Sequence, residues 1–289
     1  MKIQPLVTVG VPVRNGGKFL RVALESVHNQ TYKNLQVIIS DNCSEDETPA
    51  IVAEYLARDP RFIYVRQLQA LTAIQNFGFV LGEARGEFFM WAAHDDTRSN
   101  DYIETLVDGL SSDASALLAF GDLLTTGVIG QSGTALEFEF STAGLGWFRR
   151  MRKTAFIQCF HIYGVWRTNA LKQIPMPTNS WWTDLPLMLT AAKIGHFKYV
   201  AGPRFVYYEV PKTALQRAQY QDNKSQFSQL GSIWGLFYSS YIVVASVGGS
   251  VAGIWAGWLV LEKQAHRIPG FLIRRFFWFL SLPFKYFRN

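Results

Sequence analysis

Along the first hundred residues, blocks of apolar positions alternate between strand and helix spacing. Leu6-Val7-Thr8-Val9-Gly10-Val11-Pro12-Val13 is a β-branched run that stops at the breaker cluster Arg14-Asn15-Gly16-Gly17. Phe19, Leu20, Val22, Ala23, Leu24 and Val27 then recur at helical spacing. Leu35 to Ser40 predicts a second strand, closed by Asp41-Asn42-Cys43-Ser44, and Thr48-Pro49 opens a helix as N-cap and first helical residue. Phe62 to Val65 predicts a third strand and Thr72 to Ala84 a helix, despite Gly78 and Gly82. Glu87 to Ala93 predicts a fourth strand ending abruptly at His94-Asp95-Asp96, with Ser99 capping the next helix through Leu110. Strands apolar on both faces, separated by helices, mean a parallel sheet covered on both sides. Such sheets bind ligands at the C-terminal ends of their strands. That rule selects the loops at 12–17, 41–46 and 94–97, two of which carry carboxylates.

From about 115 to 210 the pattern loosens. Leu117 to Phe120 and Phe205 to Tyr208 read as strands, Leu185 to Ile194 as a helix beginning at Asp184, and 123–146 as a Gly-, Thr- and Ser-rich flap. From Ser225 to Leu261 there is no charged residue. The last segment, Pro269 to Asn289, interleaves Phe and Trp with Arg274, Arg275, Lys285 and Arg288.

Charge sharpens this division. The 289 residues carry 28 Lys+Arg against 22 Asp+Glu, a net charge of +6. Of this, 1–224 contributes +1 (22 basic, 21 acidic) and 225–289 contributes +5 (six basic, one acidic). Positive charge placed in the most apolar part of the chain points to a membrane rather than to nucleic acid. Two distant cysteines, Cys43 and Cys159, exclude a disulfide framework or structural zinc site and fit a reducing compartment. The N-terminus lacks the apolar core of a signal peptide.

Asp95-Asp96 is the sharpest local feature. Adjacent carboxylates at the end of a buried strand repel each other, and a hard divalent ion shared with phosphate oxygens relieves that cost. The plain alternative is helix capping near Ser99. Asp41 ends the second strand in the equivalent place, suited either to a base or ribose contact or to an Asx turn. Gly16-Gly17 and Gly248-Gly249 fit no phosphate-cradling glycine motif, which argues against kinases, ATPases and common dehydrogenases. Asp184 opens a helix, where the dipole favours the anion a general base needs; an ordinary N-cap is the alternative. His161 and His196 lack metal-ligand spacing and read as structural, and Arg149 to Lys153 reads as a solvated basic run.

Four blocks together carry a resemblance. They are Val7 to Asn15, Ala23-Leu24-Glu25-Ser26-Val27 with Gln30-Thr31-Tyr32, Ser40 to Thr48, and Ala84 to Asp96. In this order and spacing they resemble glycosyltransferase family 2 over roughly residues 5–110, with a weaker match through Tyr163 to Arg167 and Trp182 to Asp184. The resemblance implies a GT-A fold, Rossmann-like with a mostly parallel central sheet. It also implies transfer of a sugar from a nucleotide-diphosphate donor, a UDP-sugar, by inverting single displacement. Pro12, Val13, Arg14 and Asn15 would line the base pocket, with Asp41 and Asn42 on the nucleotide. Asp95 and Asp96 would bind ribose and a Mn²⁺ or Mg²⁺ on the diphosphate, and Asp184 would be the catalytic base. Trp181 and Trp182 would stack on the acceptor. Three positions depart from the family pattern: Arg14 for an aromatic, Ala93 for the first Asp of Asp-x-Asp, and Gln75 for Arg.

The expected organisation is a GT-A domain over 1–224, with a nucleotide-sugar half at 1–110 and an acceptor half at 111–224. A membrane-associating region follows at 225–289. The uncharged run would span once within about Ile242–Leu261, bend as a hairpin at Gly248-Gly249, or pack as buried helices in the body. Residues 271–288 suit an interfacial helix. The function expected is transfer to a lipid-linked glycan acceptor at the cytoplasmic membrane face, in cell-surface polysaccharide synthesis. The alternatives are a polyprenyl-monophosphate sugar synthase and a non-catalytic nucleotide-sugar binder.

Overall fold

In the computed structural model, the described residues are 4–127, 134–136, 140–157, 159–176, 184–208 and 229–264. The first half runs β1 (Val7–Val13), α1 (Gly17–His28), β2 (Leu35–Asp41), α2 (Thr48–Arg58), β3 (Phe62–Arg66), α3 (Ala73–Gly82) and β4 (Phe88–Trp91). The second half adds β5 (Thr97–Arg98), α4 (Tyr102–Ser111), β6 (Ala116–Thr126), β7 (Thr134–Leu136) and α5 (Trp147–Ala155). After a 3₁₀ turn at Cys159–Tyr163 come β8 (Val165–Arg167), α6 (Thr168–Leu171), α7 (Asp184–Ile194), β9 (His196–Tyr208) and α8 (Gln229–Gln264).

The sheet order is β3-β2-β1-β4-β8-β6-β9-β5, with β7 beside β6. Strands β1 to β4 are mutually parallel where they pair. Parallel pairing runs through the first half and returns between β6 and β9, with antiparallel strands set between and beside them. β8 runs antiparallel between β4 and β6, and β5 is antiparallel to β9. At the junction of β6 and β9 the register shifts beside Gly121, where an added Cβ would lie 1.9 Å from the Pro203 carbonyl oxygen.

Two sequence expectations about caps are corrected. Thr48 lies inside α2 rather than capping it, because Glu47 is the N-cap and the Thr48 hydroxyl accepts the Gly16 amide. Ser99 does not cap α4, whose N-cap is Asp101; its hydroxyl accepts the Arg204 amide and ties β9 to the loop.

The basic run forms α5. Arg149, Arg152 and Lys153 are exposed, as a solvated run would be, whereas Arg150 is half-buried and docks the helix. Arg150 donates to the carbonyls of Ala192 at 2.7 Å and Lys193 at 3.0 Å, closing the C-terminus of α7. Arg152 pairs with Glu262 at 2.6 Å, and Lys153 donates to the Ser141 carbonyl at 2.7 Å.

Gly249 breaks α8 with φ 80° and ψ 166°. A Cβ built on Gly253 would lie 2.8 Å from the Tyr241 carbonyl oxygen, so the chain folds back on itself as a hairpin, one of the three forms expected. Ser240–Lys263 has the length and composition of a spanning helix, but the bend divides it. The residues after Gly249 in α8 reach only ~22 Å at ~1.5 Å each, short of a ~30 Å hydrocarbon core. The hairpin's inner face is core: Val243, Val244, Ala252, Trp255, Ala256, Leu259 and Val260 pack with α5 and α7. Trp255 stacks on Phe148 with ring centroids 3.8 Å apart. Tyr238, Ile242, Val251 and Ile254 face outward. The interfacial segment 271–288 lies outside the described residues.

Candidate functional site

The C-terminal ends of β1, β2 and β3 lie in one register line, Val13 beside Asp41 beside Arg66, and the loops that follow them interlock. Asn15 and Cys43 adopt positive φ of 52° and 58°, which brings the first two loops face to face. The amides of Asn15, Gly16 and Gly17 donate to the side chains of Ser44, Thr48 and Asp46 at 2.8–2.9 Å. The N-terminus of α1 is thus satisfied by protein groups, consistent with the missing glycine motif.

Pro12 and Val13 are buried beneath this junction, whereas Arg14 and Asn15 are exposed at its rim. Asn42 spends its amide on the Leu71 backbone, donating at 2.8 Å and accepting at 2.6 Å. Asp41 is buried. Its Oδ1 accepts the Ser44 amide at 2.8 Å, and its Oδ2 accepts the Tyr64 hydroxyl at 2.6 Å and Arg66 Nη1 at 3.2 Å. Gln75 closes a capping box with Thr72, so its side chain serves the start of α3.

The acidic pair follows β4. Asp96 is 1% exposed and accepts the Tyr208 amide at 3.0 Å, while the Asp95 side chain is partly exposed. Burial, and then the Asp95 charge, push the Asp96 carboxyl up to about 7, against the pull of the Tyr208 amide and Arg98. Arg98 is buried behind the pair. It donates to the Trp91 carbonyl at 3.2 Å and lies 5.2 Å from the Phe205 ring, while its Nε and Nη1 have no partner.

Asp184 begins α7 at the rim of a pocket lined by Ile74, Phe77, Ile162, Tyr163, Met176 and Leu187. Tyr163 joins the two acidic regions. Burial, then the charges of Asp184, Asp96 and Asp95, hold its phenol far above the ordinary tyrosine range. Its ring stacks on Phe205 at 5.4 Å. Of the three carboxylates, Asp184 shares the pocket lining with Tyr163. Trp181 and Trp182 lie outside the described residues.

No group of three or more His, Cys, Asp or Glu suited to a metal occurs among the described residues. A carboxyl whose ionisation is opposed first by burial and then by its neighbour's charge is nevertheless half of an arrangement that a hard cation neutralises. Asp95 and Asp96 fit a divalent ion that completes its shell with phosphate oxygens and water.

Sequence reasoning missed Tyr163, Arg66 and Arg98 as site residues. Tyr163 fell within the weaker block of the resemblance, and Arg66 closes an apolar strand without any motif of its own. Nothing in the pattern around Arg98 signals that it is buried.

The model of the family described as glycosyl transferase family 2 matches residues 8–167, more than half of the chain. Glycosyltransferase GlyA of Streptococcus pneumoniae serotype 4 is 36% identical over 107 residues, 37% of this chain and 15% of that protein. The matched stretches span 15–34% of the length of the curated relatives. The crystal structure of S. aureus TarS 1–349 in complex with UDP superposes with TM-score 0.58 at 15% identity, covering 90% of this chain and 91% of that one. Mannosyltransferase PcManGT from Pyrobaculum calidifontis, in complex with GDP-Man and Mn²⁺, gives TM-score 0.56 at 17% identity, covering 99% and 84%. These likenesses show the GT-A fold that the resemblance implied.

Proposed function

Since the chain belongs to glycosyl transferase family 2, we propose that it transfers a sugar from a nucleoside-diphosphate donor, a UDP-sugar, to a hydroxyl of a lipid-linked glycan. The observation that carries this reading is the pairing of two carboxylates after β4, Asp95 and the buried Asp96, with a third, Asp184, at the rim of an apolar-walled pocket. One carboxylate pair can hold the donor's diphosphate through a cation, and a separate carboxylate can serve an acceptor.

In the proposed displacement Asp184 accepts the proton of the acceptor hydroxyl as its oxygen attacks the anomeric carbon. The bond from that carbon to the diphosphate oxygen breaks on the opposite face, so configuration inverts and the nucleoside diphosphate departs. Asp95, the more exposed of the pair, and Asp96, fixed by the Tyr208 amide, would hold a Mn²⁺ or Mg²⁺. When bound, that ion supplies positive charge for the leaving diphosphate. Ile74, Phe77 and Leu187 give the pocket beside Asp184 an apolar wall.

Membrane attachment at the cytoplasmic face, and a role in cell-surface polysaccharide synthesis, complete the proposal. The outward apolar residues of the α8 hairpin and the aromatic and basic composition of 271–288 support attachment in the plane of the interface.

The test is nucleoside-diphosphate release with Mn²⁺ across a panel of nucleotide sugars and polyprenyl-diphosphate acceptors. Asp184→Asn is expected to abolish release while leaving the donor's dissociation constant unchanged. Full turnover in Asp184→Asn would reject this assignment of the base.

A further inference from the structure

The carboxylate that the resemblance assigns to the nucleobase is sealed inside the protein. Asp41 has no exposed side-chain surface, and both its oxygens are engaged by Ser44, Tyr64 and Arg66. A base N–H cannot reach it unless one of these partners leaves. The group that links this carboxylate to the surface is Arg66, whose side chain is 47% exposed.

Arg66 is held in place from two sides. Nη1 donates to Asp41 at 3.2 Å and Nη2 to the Ser44 carbonyl at 2.8 Å. A further interaction joins it to the Tyr64 hydroxyl. Guanidinium carries five N–H donors in a rigid fork, so donors remain for a ligand after these contacts. The register line Val13–Asp41–Arg66 sets the fork beside the exposed Arg14-Asn15 loop, at the sheet edge where ligands bind.

We propose that Arg66 is the group that reads the donor's base, with Asp41 and Tyr64 as positioning residues behind it. A guanidinium only donates, so it selects a base that offers a carbonyl acceptor: uracil through O4, or guanine through O6 and N7. Cytosine and adenine present an amino donor at the corresponding position, which sets N–H against N–H there and costs the fork that contact. The inference rests on the nucleoside-diphosphate donor proposed above.

Calorimetry of the full chain with Mn²⁺ and each of UDP, GDP, CDP and ADP tests it. The better of UDP and GDP should bind at least roughly tenfold more tightly than CDP and ADP, the scale of one good paired contact. In Arg66→Met that ratio should fall below about threefold, chiefly through weaker binding of the keto-base nucleotide. Arg66→Lys keeps the charge without the fork and should lose most of the ratio. If Arg66→Met does not give a wild-type melting profile, Arg66→Lys alone decides. An unchanged ratio in the variant that folds, or equal binding of all four by the wild type, would overturn the inference while leaving the donor reading intact. Failure of the wild type to bind any of the four would overturn both.

Discussion

Truncation of Trp255 to alanine separates an integrated hairpin from an accessory tail. Trp255 is 6% exposed, stacks on Phe148 at 3.8 Å with 15° between the rings, and donates its indole N–H to the Phe148 carbonyl at 3.3 Å. Removing a buried Trp side chain costs about 3–5 kcal/mol, and the stacking contribution is contained in that figure. Against a total stability of about 5–15 kcal/mol this is a large fraction. At ~2 °C per kcal/mol for a chain of this size, Trp255→Ala should lower the melting temperature by roughly 6–10 °C. Far-UV circular dichroism of the full chain, with urea titration in parallel, measures both. Phe156→Ala is the control: Phe156 is 49% exposed, and its loss should stay within about 0.5 kcal/mol. A melting temperature within about 2 °C of wild type for Trp255→Ala would refute the docking argument, since a helix that leaves the body contributes nothing to its unfolding.

Other outcomes follow from single sites. Arg150→Met removes two charge-assisted bonds to the last carbonyls of α7 and should destabilise the chain by about 1.5–3 kcal/mol in urea unfolding. Gly121→Ala forces a Cβ into the Pro203 carbonyl at the β6–β9 irregularity and should cost more than about 2 kcal/mol, measured the same way. Burial pushes the Asp59 carboxyl up, but the side-chain and backbone bonds from Arg61 and the bond from His28 prevail, so it titrates below the ordinary range. Its stabilising contribution is therefore complete above about pH 4 and lost as pH falls through the acid range. The stability gap between wild type and Asp59→Asn should shrink between pH 7 and pH 3; a constant gap would contradict the pairing. Asp95→Asn should abolish Mn²⁺-dependent binding of the nucleoside diphosphate while leaving the melting temperature of the free protein at or above that of wild type, since its side chain is partly exposed and its charge opposes that of Asp96.

The first sheet half was legible because β1, β2 and β4 are buried on both faces, leaving an apolar run that only a covered parallel strand explains. The loops carrying Asp41, Asp95 and Asp96 followed from where those runs stopped, and the helix at Asp184 from its apolar content. The antiparallel insertions were not legible: β8 has three residues and β5 two, too few to display a period. Arg150 looks like solvent-facing charge in sequence, since a cation that caps a distant helix and one that faces water have the same neighbours in the chain. The uncharged run had the same ambiguity. An apolar helix packed on protein and one immersed in lipid share a composition, and the bend at Gly249 that seats its inner face on the body is a backbone feature that composition does not display. Asp41 was found by position, yet its burial depends on Tyr64 and Arg66, more than twenty residues further along the chain.

The helix α7 has Asp184 at one end and, at the other, carbonyls clasped by Arg150. Its eleven residues make a rod of about 16 Å. The hairpin packs along that rod, so Asp184 belongs to a helix anchored along its length and at its far end. Under the proposed function, with the hairpin's outer face on a lipid surface and Asp184 as the base, that rod would act as a depth gauge, favouring acceptors whose reactive hydroxyl stands at the height it sets.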